Sequence, residues 1–424
     1  MTWTLFLFVF ILLAVGFPIA VGLSGAAFLF IFLQTHTPVE IVVQRIVSGV
    51  DSFPLLALPF FLLAGLLMER AGITSRIMRL ANSLVGHIRG GLAAVCVIAS
   101  CFFGFISGSG VADTAAIGSI IMPEMVRRGY GKGFTASIQA SAGVLGIVIP
   151  PSLPMVVLGV AGGVPIGGLL LGGILPGWIA GSLLILVAVI ISRKRGYQGI
   201  ERAGGWRETW QAAREAILPL LTPVIILGGI LGGIFTPTES AAVATVYALI
   251  LGFFIYRSLH LQDIFPIFKD AALASAVIMF IIAAASPFAW IMAINKIPES
   301  LTNYFLALTS NPFLILILVN ILLLILGTFM ETIAIIIIMA PILVPLITSI
   351  GYNPIHFGVI MTLNLAIGGI TPPLGVCLIT TCRMIKTPYP PPLRDLLPFI
   401  LAMVFSLFLT ILFPSLVLWL GKMA

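Results

Sequence analysis

Two short stretches of this 424-residue chain place oxygen-bearing side chains inside otherwise apolar sequence. "FISGSGVADTAAIG" offers the hydroxyls of Ser107 and Ser109 and the carboxyl of Asp113, and "LGTFMETIAI" offers Thr328 and Glu331. Each has a counterpart rich in helix breakers. These are "GVLGIVIPPS", with Gly146, Pro150 and Pro151, and "GGITPPLG", with Gly368, Thr371 and Pro373. Glycine costs a helix about 1 kcal/mol and proline about 3, so both segments read as interruptions that leave carbonyl oxygens unpaired. Hydroxyl and carbonyl oxygens are the ligands of a hard cation such as Na⁺, by the logic that governs hard divalent ions.

The surroundings give these groups their meaning. The chain is 60% hydrophobic and 8% charged, against about a quarter charged in a globular chain. Apolar runs such as 174–191, 271–294 and 312–329 are long enough to cross a hydrocarbon core of about 30 Å. The composition therefore implies an all-α polytopic membrane protein. In such a setting every backbone N–H and C=O needs a partner, and an interrupted helix survives where it lines a cavity or holds an ion. A simple proline kink is the plainer alternative, and recurrence in both halves argues against it. Small-residue packing would suit Gly104-x-x-x-Gly108. It does not account for Asp113 or Glu331, which are costly in a membrane and are expected to face a polar cavity. Helix N-termini at the two tips would favour an anionic substrate.

Charge distribution orders the segments. All of the 21 basic residues except Arg45, Lys296 and Lys422 fall in a few loops, the richest being 193–216. The positive-inside rule puts those loops in the cytoplasm and removes any need for a nucleic-acid partner. The apolar stretch 92–122 then enters and leaves on one side. It is too short for two crossings of about 20 residues each, so it reads as a re-entrant hairpin with its tip near 107–110. The stretch 312–347 looks like the same device from the other side. One constant offset, with no gap, puts Pro123 on Pro345, Gly146 on Gly368, Pro150-Pro151 on Pro372-Pro373 and Pro176 on Pro398. We read two inverted-topology repeats. Residues 1–192 form the first, with its hairpin at about 92–122 and its broken helix at about 134–163. Residues 193–216 are a charged cytoplasmic linker. Residues 217–424 form the second, with its hairpin at about 312–347 and its broken helix at about 355–382.

Other features read more plainly. "TPTES" (236–240) fits a capping box that starts a helix, in preference to a substrate contact. Cys96, Cys101, Cys377 and Cys382 form no CxxC pair and read as buried apolar thiols. "GYGKGF" fails the P-loop pattern. His36, His87, His260 and His356 lie near expected membrane edges, which disfavours an intramembrane serine hydrolase built on Ser107 or Ser109. No basic n-region precedes the first apolar run, so no cleaved signal peptide is expected. "LAVGFPIAVGL" (13–23) fits either a kinked helix or a tight turn between two.

"GFISGSGVADTAAIGSIIMPEM", "GVLGIVIPPS", "GGIFTPTESAAVATVYAL" and "GGITPPLGVCL" resemble the large membrane subunit of tripartite ATP-independent periplasmic (TRAP) transporters, over essentially the whole chain. The resemblance implies a non-enzymatic, elevator-type secondary transporter of the bacterial inner membrane, surrounded by membrane lipids and driven by co-transported sodium ions. It implies a small four-helix membrane subunit as a separate chain and a periplasmic substrate-binding protein. The expected substrates are organic acids: C4-dicarboxylates, keto acids, sugar acids or sialic acids. A stand-alone ion-coupled carboxylate transporter of related fold is the alternative. Carried over residue by residue, one sodium site would use Ser107, Ser109, Gly146, Ile149 and Pro151, largely through backbone oxygens. The other would use Gly327, Thr328, Met330, Thr371 and Pro373. Glu331 stands where the family commonly has the shorter aspartate.

Overall fold

The computed structural model describes residues 3–34, 37–199, 205–309 and 311–421, and every regular element among them is helical. Eight of the described helices are long and apolar enough to cross a membrane. The helix pair Lys132–Val148 and Leu153–Gly162, bent by 44°, is a broken candidate for a further span. His36 and Lys422 lie outside the described residues.

The N-terminal segment is a tight turn between two helices. Trp3–Ala14 folds back on Ile19–Gln34 through Gly16, which takes the positive φ of 98° that the turn needs. The Thr4 hydroxyl meets the Gln34 side-chain oxygen at 2.8 Å, bringing opposite ends of the pair together. This pair packs on Leu261–Ile294, a 34-residue helix that also lies against Ala57–Arg70. At about 1.5 Å per residue it is some 50 Å long, more than a bilayer core requires.

Ala57–Arg70 is clasped to Pro237–Ile250 from the other half of the chain. Thr238 donates to the Phe53 carbonyl at 3.2 Å, Thr245 to Phe60 at 2.9 Å and Ser258 to Ala71 at 3.0 Å. The sequence separation of these pairs stays between 185 and 187, so the two segments run parallel. Thr236 and Glu239 form the complete capping box at the start of Pro237–Ile250, as "TPTES" suggests. These helices make a frame.

Within the frame sit two hairpins and two interrupted helices. The first hairpin is Gly91–Ser107 followed by Gly110–Arg127, and the second is Pro312–Phe329 followed by Thr332–Ser349. The first extends beyond residue 122 because Pro123 removes only one N–H. Glu124 then ties the last turn to Arg127 at 2.7 Å and Arg128 at 2.6 Å. The interrupted helices are Lys132–Gly143 with Leu145–Val148 and Leu153–Gly162, and Pro354–Gly368 with Val376–Met384. Helix ends recur at the same offset that aligns the prolines: Ser107 with Phe329, Gly110 with Thr332, Arg127 with Ser349, Lys132 with Pro354.

The connection between the halves is shorter than the charge pattern indicates. Ile174–Lys194 runs to the first edge of that segment, and Trp206–Leu231 is already helical from residue 206, burying Ala212 and Ala216. Residues 200–204 of the expected linker lie outside the described residues. Arg195, just past the first helix, pairs with the nearly buried Asp395 at 2.6 Å. Around that pair Tyr130 stacks on Tyr197 at 4.4 Å and Phe134 packs on Phe399 at 5.7 Å. Burial pushes the Tyr130 phenol up to about 12, so it stays protonated and donates to the Gln198 carbonyl.

Candidate functional site

The first hairpin turns over at Gly108 and Ser109. Gly108 is left-handed with φ 63°, and a side chain there would strike the Pro151 carbonyl oxygen. That contact brings the tip onto the first break. The Leu153 N–H donates to the Gly108 carbonyl at 3.1 Å, stitching the two together. The second half repeats the stitch, with the Leu374 N–H donating to the Thr328 carbonyl at 2.9 Å. Pro150–Pro151 and Pro372–Pro373 are both cis.

The break at Ile149–Ser152 arises from local chemistry. Pro151 has no N–H to give and Ile149 is extended, with ψ 125°. Ser152 closes both ends, donating its hydroxyl to the Ile147 carbonyl and accepting from the Met155 N–H at 3.2 Å. Gly146 is needed for another reason. A side chain at that position would collide with the carboxylate of Asp113. In the second half, a Cβ on Gly368 would run into the backbone of Gly327.

The residues expected at the first ion site are brought together. Ser107, Gly146, Ile149 and Pro151 are buried around the tip, and Ser109 is half-buried beside them. The Ser109 hydroxyl caps Gly110–Arg127 by accepting from the Ala112 N–H. At the second site Gly327 abuts Gly368, and the side chains of Thr328 and Thr371 turn back to their own helices, donating to Ile325 and Ile367 at 2.7 Å each. The carbonyl of Pro373 accepts from the Tyr389 hydroxyl at 2.7 Å, and that of Leu374 accepts from it at 2.9 Å. A carbonyl has two lone pairs, so Pro373 keeps one for another partner.

Both tips, the residues flanking the first break (Ile147, Leu153 and Pro154) and the second break wall one cavity of about 60 Å³, including Gly108, Ser109, Met330, Glu331 and Gly369. Glu331 is exposed there and caps its own helix, accepting from the Ile333 N–H at 2.8 Å and the Ala334 N–H at 3.2 Å. The second helix N-terminus thus already holds an anion, its own carboxylate. Asp113 is elsewhere. It is 0% exposed, behind the first tip, and is not part of the cavity wall.

Sequence reasoning missed several supporting residues. Asn364 bonds the Asn320 side-chain oxygen at 2.8 Å and its backbone oxygen at 2.9 Å, joining the second hairpin to its interrupted helix. Gln139 does the same in the first half, accepting from Cys96 at 2.9 Å and donating to the Thr114 carbonyl at 3.3 Å. Buried amides in apolar runs were the available signal, since a buried amide must find partners. Gly65, on Ala57–Arg70 against the backbone of Ser107, and Tyr389 carried no such signal.

Residues 6–416 match the family described as "Tripartite ATP-independent periplasmic transporter, DctM component". The sialic acid TRAP transporter large permease protein SiaM of Vibrio cholerae is 40% identical, over 97% of this chain and 96% of that protein. The C4-dicarboxylate TRAP transporter large permease protein DctM of Pseudomonas aeruginosa is 41% identical, over 95% and 94%. The crystal structure of the YdaH transporter of Alcanivorax borkumensis shares the fold, with a TM-score of 0.62 at 15% identity over 90% of each chain.

Proposed function

Because the chain belongs to the DctM component family of tripartite ATP-independent periplasmic transporters, we propose that it is a large permease that imports an organic acid together with Na⁺. It is a multi-pass protein of the bacterial inner membrane. The acid is handed over by a periplasmic binding protein, and a small four-helix membrane subunit completes the assembly. The named cargoes of the two relatives, sialic acid and C4-dicarboxylates, support a carboxylate as substrate.

The observation that carries this reading is the shared cavity with an exposed carboxylate in its wall. An acid entering it meets Glu331 and is repelled unless a cation lies between them. The two breaks supply uncharged oxygens for such a cation on either side. Na⁺ is a hard ion that takes oxygen ligands, and the first set comprises Ser107, Ser109, Gly146, Ile149 and Pro151. The second comprises Gly327, Thr328, Met330, Thr371 and Pro373. The recurrence of helix ends at one constant offset supports two inverted repeats, residues 1–192 and 217–424. Ligand pockets usually measure about 300–1,000 Å³, and this one is about 60 Å³. Uptake therefore includes a motion that enlarges the space between the tips. We place that motion between the frame and a unit made of both hairpins and both interrupted helices, an elevator-type displacement.

The test is reconstitution of the permease and small subunit in liposomes, with loaded binding protein outside and an imposed Na⁺ gradient. Labelled sialic acid and a C4-dicarboxylate serve as probes. Uptake should require both Na⁺ and the binding protein. Sodium-independent uptake sinks the coupling, and uptake without the binding protein makes the chain a stand-alone carrier.

A further inference from the structure

We propose that Asp113 is the positioning and charge-balancing residue of the first cation site, acting through the Ser107 hydroxyl. This rests on the reading that the first tip and break hold Na⁺.

Asp113 sits fully buried one turn into Gly110–Arg127. Its Oδ1 accepts the hydroxyl proton of Ser107, and its Oδ2 is buried with no hydrogen-bond partner among the described residues. It makes no ion pair among them either. Two glycines make room for it. A Cβ on Gly146 would collide with Oδ2, and one on Gly104 would stand 3.1 Å from the same atom. The free oxygen therefore points at the backbone of the interrupted helix, where the cation ligands lie. A buried carboxylate without a compensating charge is strongly destabilising, and every other group of this site is neutral. One monovalent cation balances it.

The hydroxyl bookkeeping fits. A serine has one proton and two lone pairs. Ser107 gives its proton to Asp113 and accepts from the Ser109 N–H at 3.1 Å. That leaves one lone pair, turned away from the carboxylate and made a better donor by the charge behind it. This is how groups behind a ligand orient and tune it. The second half is built differently. At the offset that aligns the repeats, Asp113 falls on Ile335 and Ser109 falls on Glu331. Each break thus has one carboxylate, hidden in the first half and exposed in the second.

The experiment titrates Na⁺ into the intact permease with its small subunit in nanodiscs. It reads the fluorescence of Trp178, whose ring packs on Phe102 and Phe105 of the first hairpin at 6.5 and 6.0 Å. Asp113→Asn, which keeps the shape, should raise the half-saturating Na⁺ concentration at least tenfold. Combining it with Ser107→Ala should cost far less than the product of the single effects, because both changes remove one interaction. Gly104→Ala leaves the carboxylate intact but crowds it, its Cβ standing 3.1 Å from both Asp113 Oδ2 and the Gly146 Cα, and should raise half-saturation severalfold. It serves if the asparagine variant fails to fold. Wild-type half-saturation in Asp113→Asn, or in Gly104→Ala where that is the folded variant, overturns the proposal, as do independent, multiplicative effects of Asp113→Asn and Ser107→Ala. A wild-type permease with no response to Na⁺ overturns the sodium reading itself, which is a separate result.

Discussion

Gly65 of the frame meets Ser107 of the first hairpin tip backbone to backbone: a Cβ on Gly65 would stand 3.3 Å from the Ser107 Cα. Nothing larger than hydrogen separates the frame helix from the hairpin tip. Gly65→Ala needs a shift of a few tenths of an ångström and should slow uptake severalfold. Gly65→Leu should abolish it while leaving the protein folded and membrane-inserted. Uptake assays beside thermal melting check both, and full activity in the leucine variant would show that the two surfaces do not press on each other.

Gly368 presents a harder constraint. The atoms its Cβ would meet are the carbonyl and Cα of Gly327, and backbone cannot rotate aside as a side chain can. Overpacking of this kind typically costs about 1–3 kcal/mol. Gly368→Ala should lower the melting temperature and also remove transport, because the second tip is forced off its break. Gly351→Ala is the control, since its Cβ would meet nothing within 4 Å. Its φ of 90° still makes it mildly destabilising, but uptake should persist.

Glu331 combines two jobs that substitutions can separate. Glu331→Gln keeps a side-chain oxygen able to cap Ile333 and Ala334, so stability should change little, while the cavity loses its charge. Glu331→Ala loses the cap as well, worth about 1 kcal/mol. Both variants should show altered sodium dependence of uptake, and only the alanine should melt earlier. Identical sodium curves in all three proteins would take Glu331 out of ion handling.

The pair of Arg195 and Asp395 joins the end of the first half to the last long helix. Removing one partner of a buried ion pair costs about 3–5 kcal/mol. Arg195 is partly exposed here, so solvent screening reduces the loss to about 1–3 kcal/mol. Asp395→Asn should lower the melting temperature without changing the half-saturating Na⁺ concentration. A normal melting curve would show the pair to be idle.

Much of the site is legible in the residues because breakers and charges are rare in an apolar chain. The first hairpin follows from basic loops on both flanks of a run too short for two crossings, and the second from the constant offset that aligns it with the first. The breaks follow from prolines and glycines that have no place in a lipid-exposed helix. The capping box of Thr236 and Glu239 is local and fully legible. The placement of Asp113 is not, since cost in hydrocarbon says only that a carboxylate has a partner. Contacts such as Asn320 with Asn364, Tyr389 with Pro373, or Gly65 with Ser107 join separate elements, and no local periodicity encodes them. The linker is shorter than its charge suggests because charge alone does not separate irregular chain from a helix surface. From residue 206 onward the charges sit on a helix.

Thr238, Thr245 and Ser258 each reach across to a backbone carbonyl of the other half, and none of these three bonds depends on the covalent junction between the halves. The frame is in effect a two-piece assembly that happens to be synthesised as one chain. Halves expressed from separate messages are expected to assemble along this seam, where Pro237–Ile250 packs on Ala57–Arg70 and the three hydroxyl-to-carbonyl bonds add to that packing.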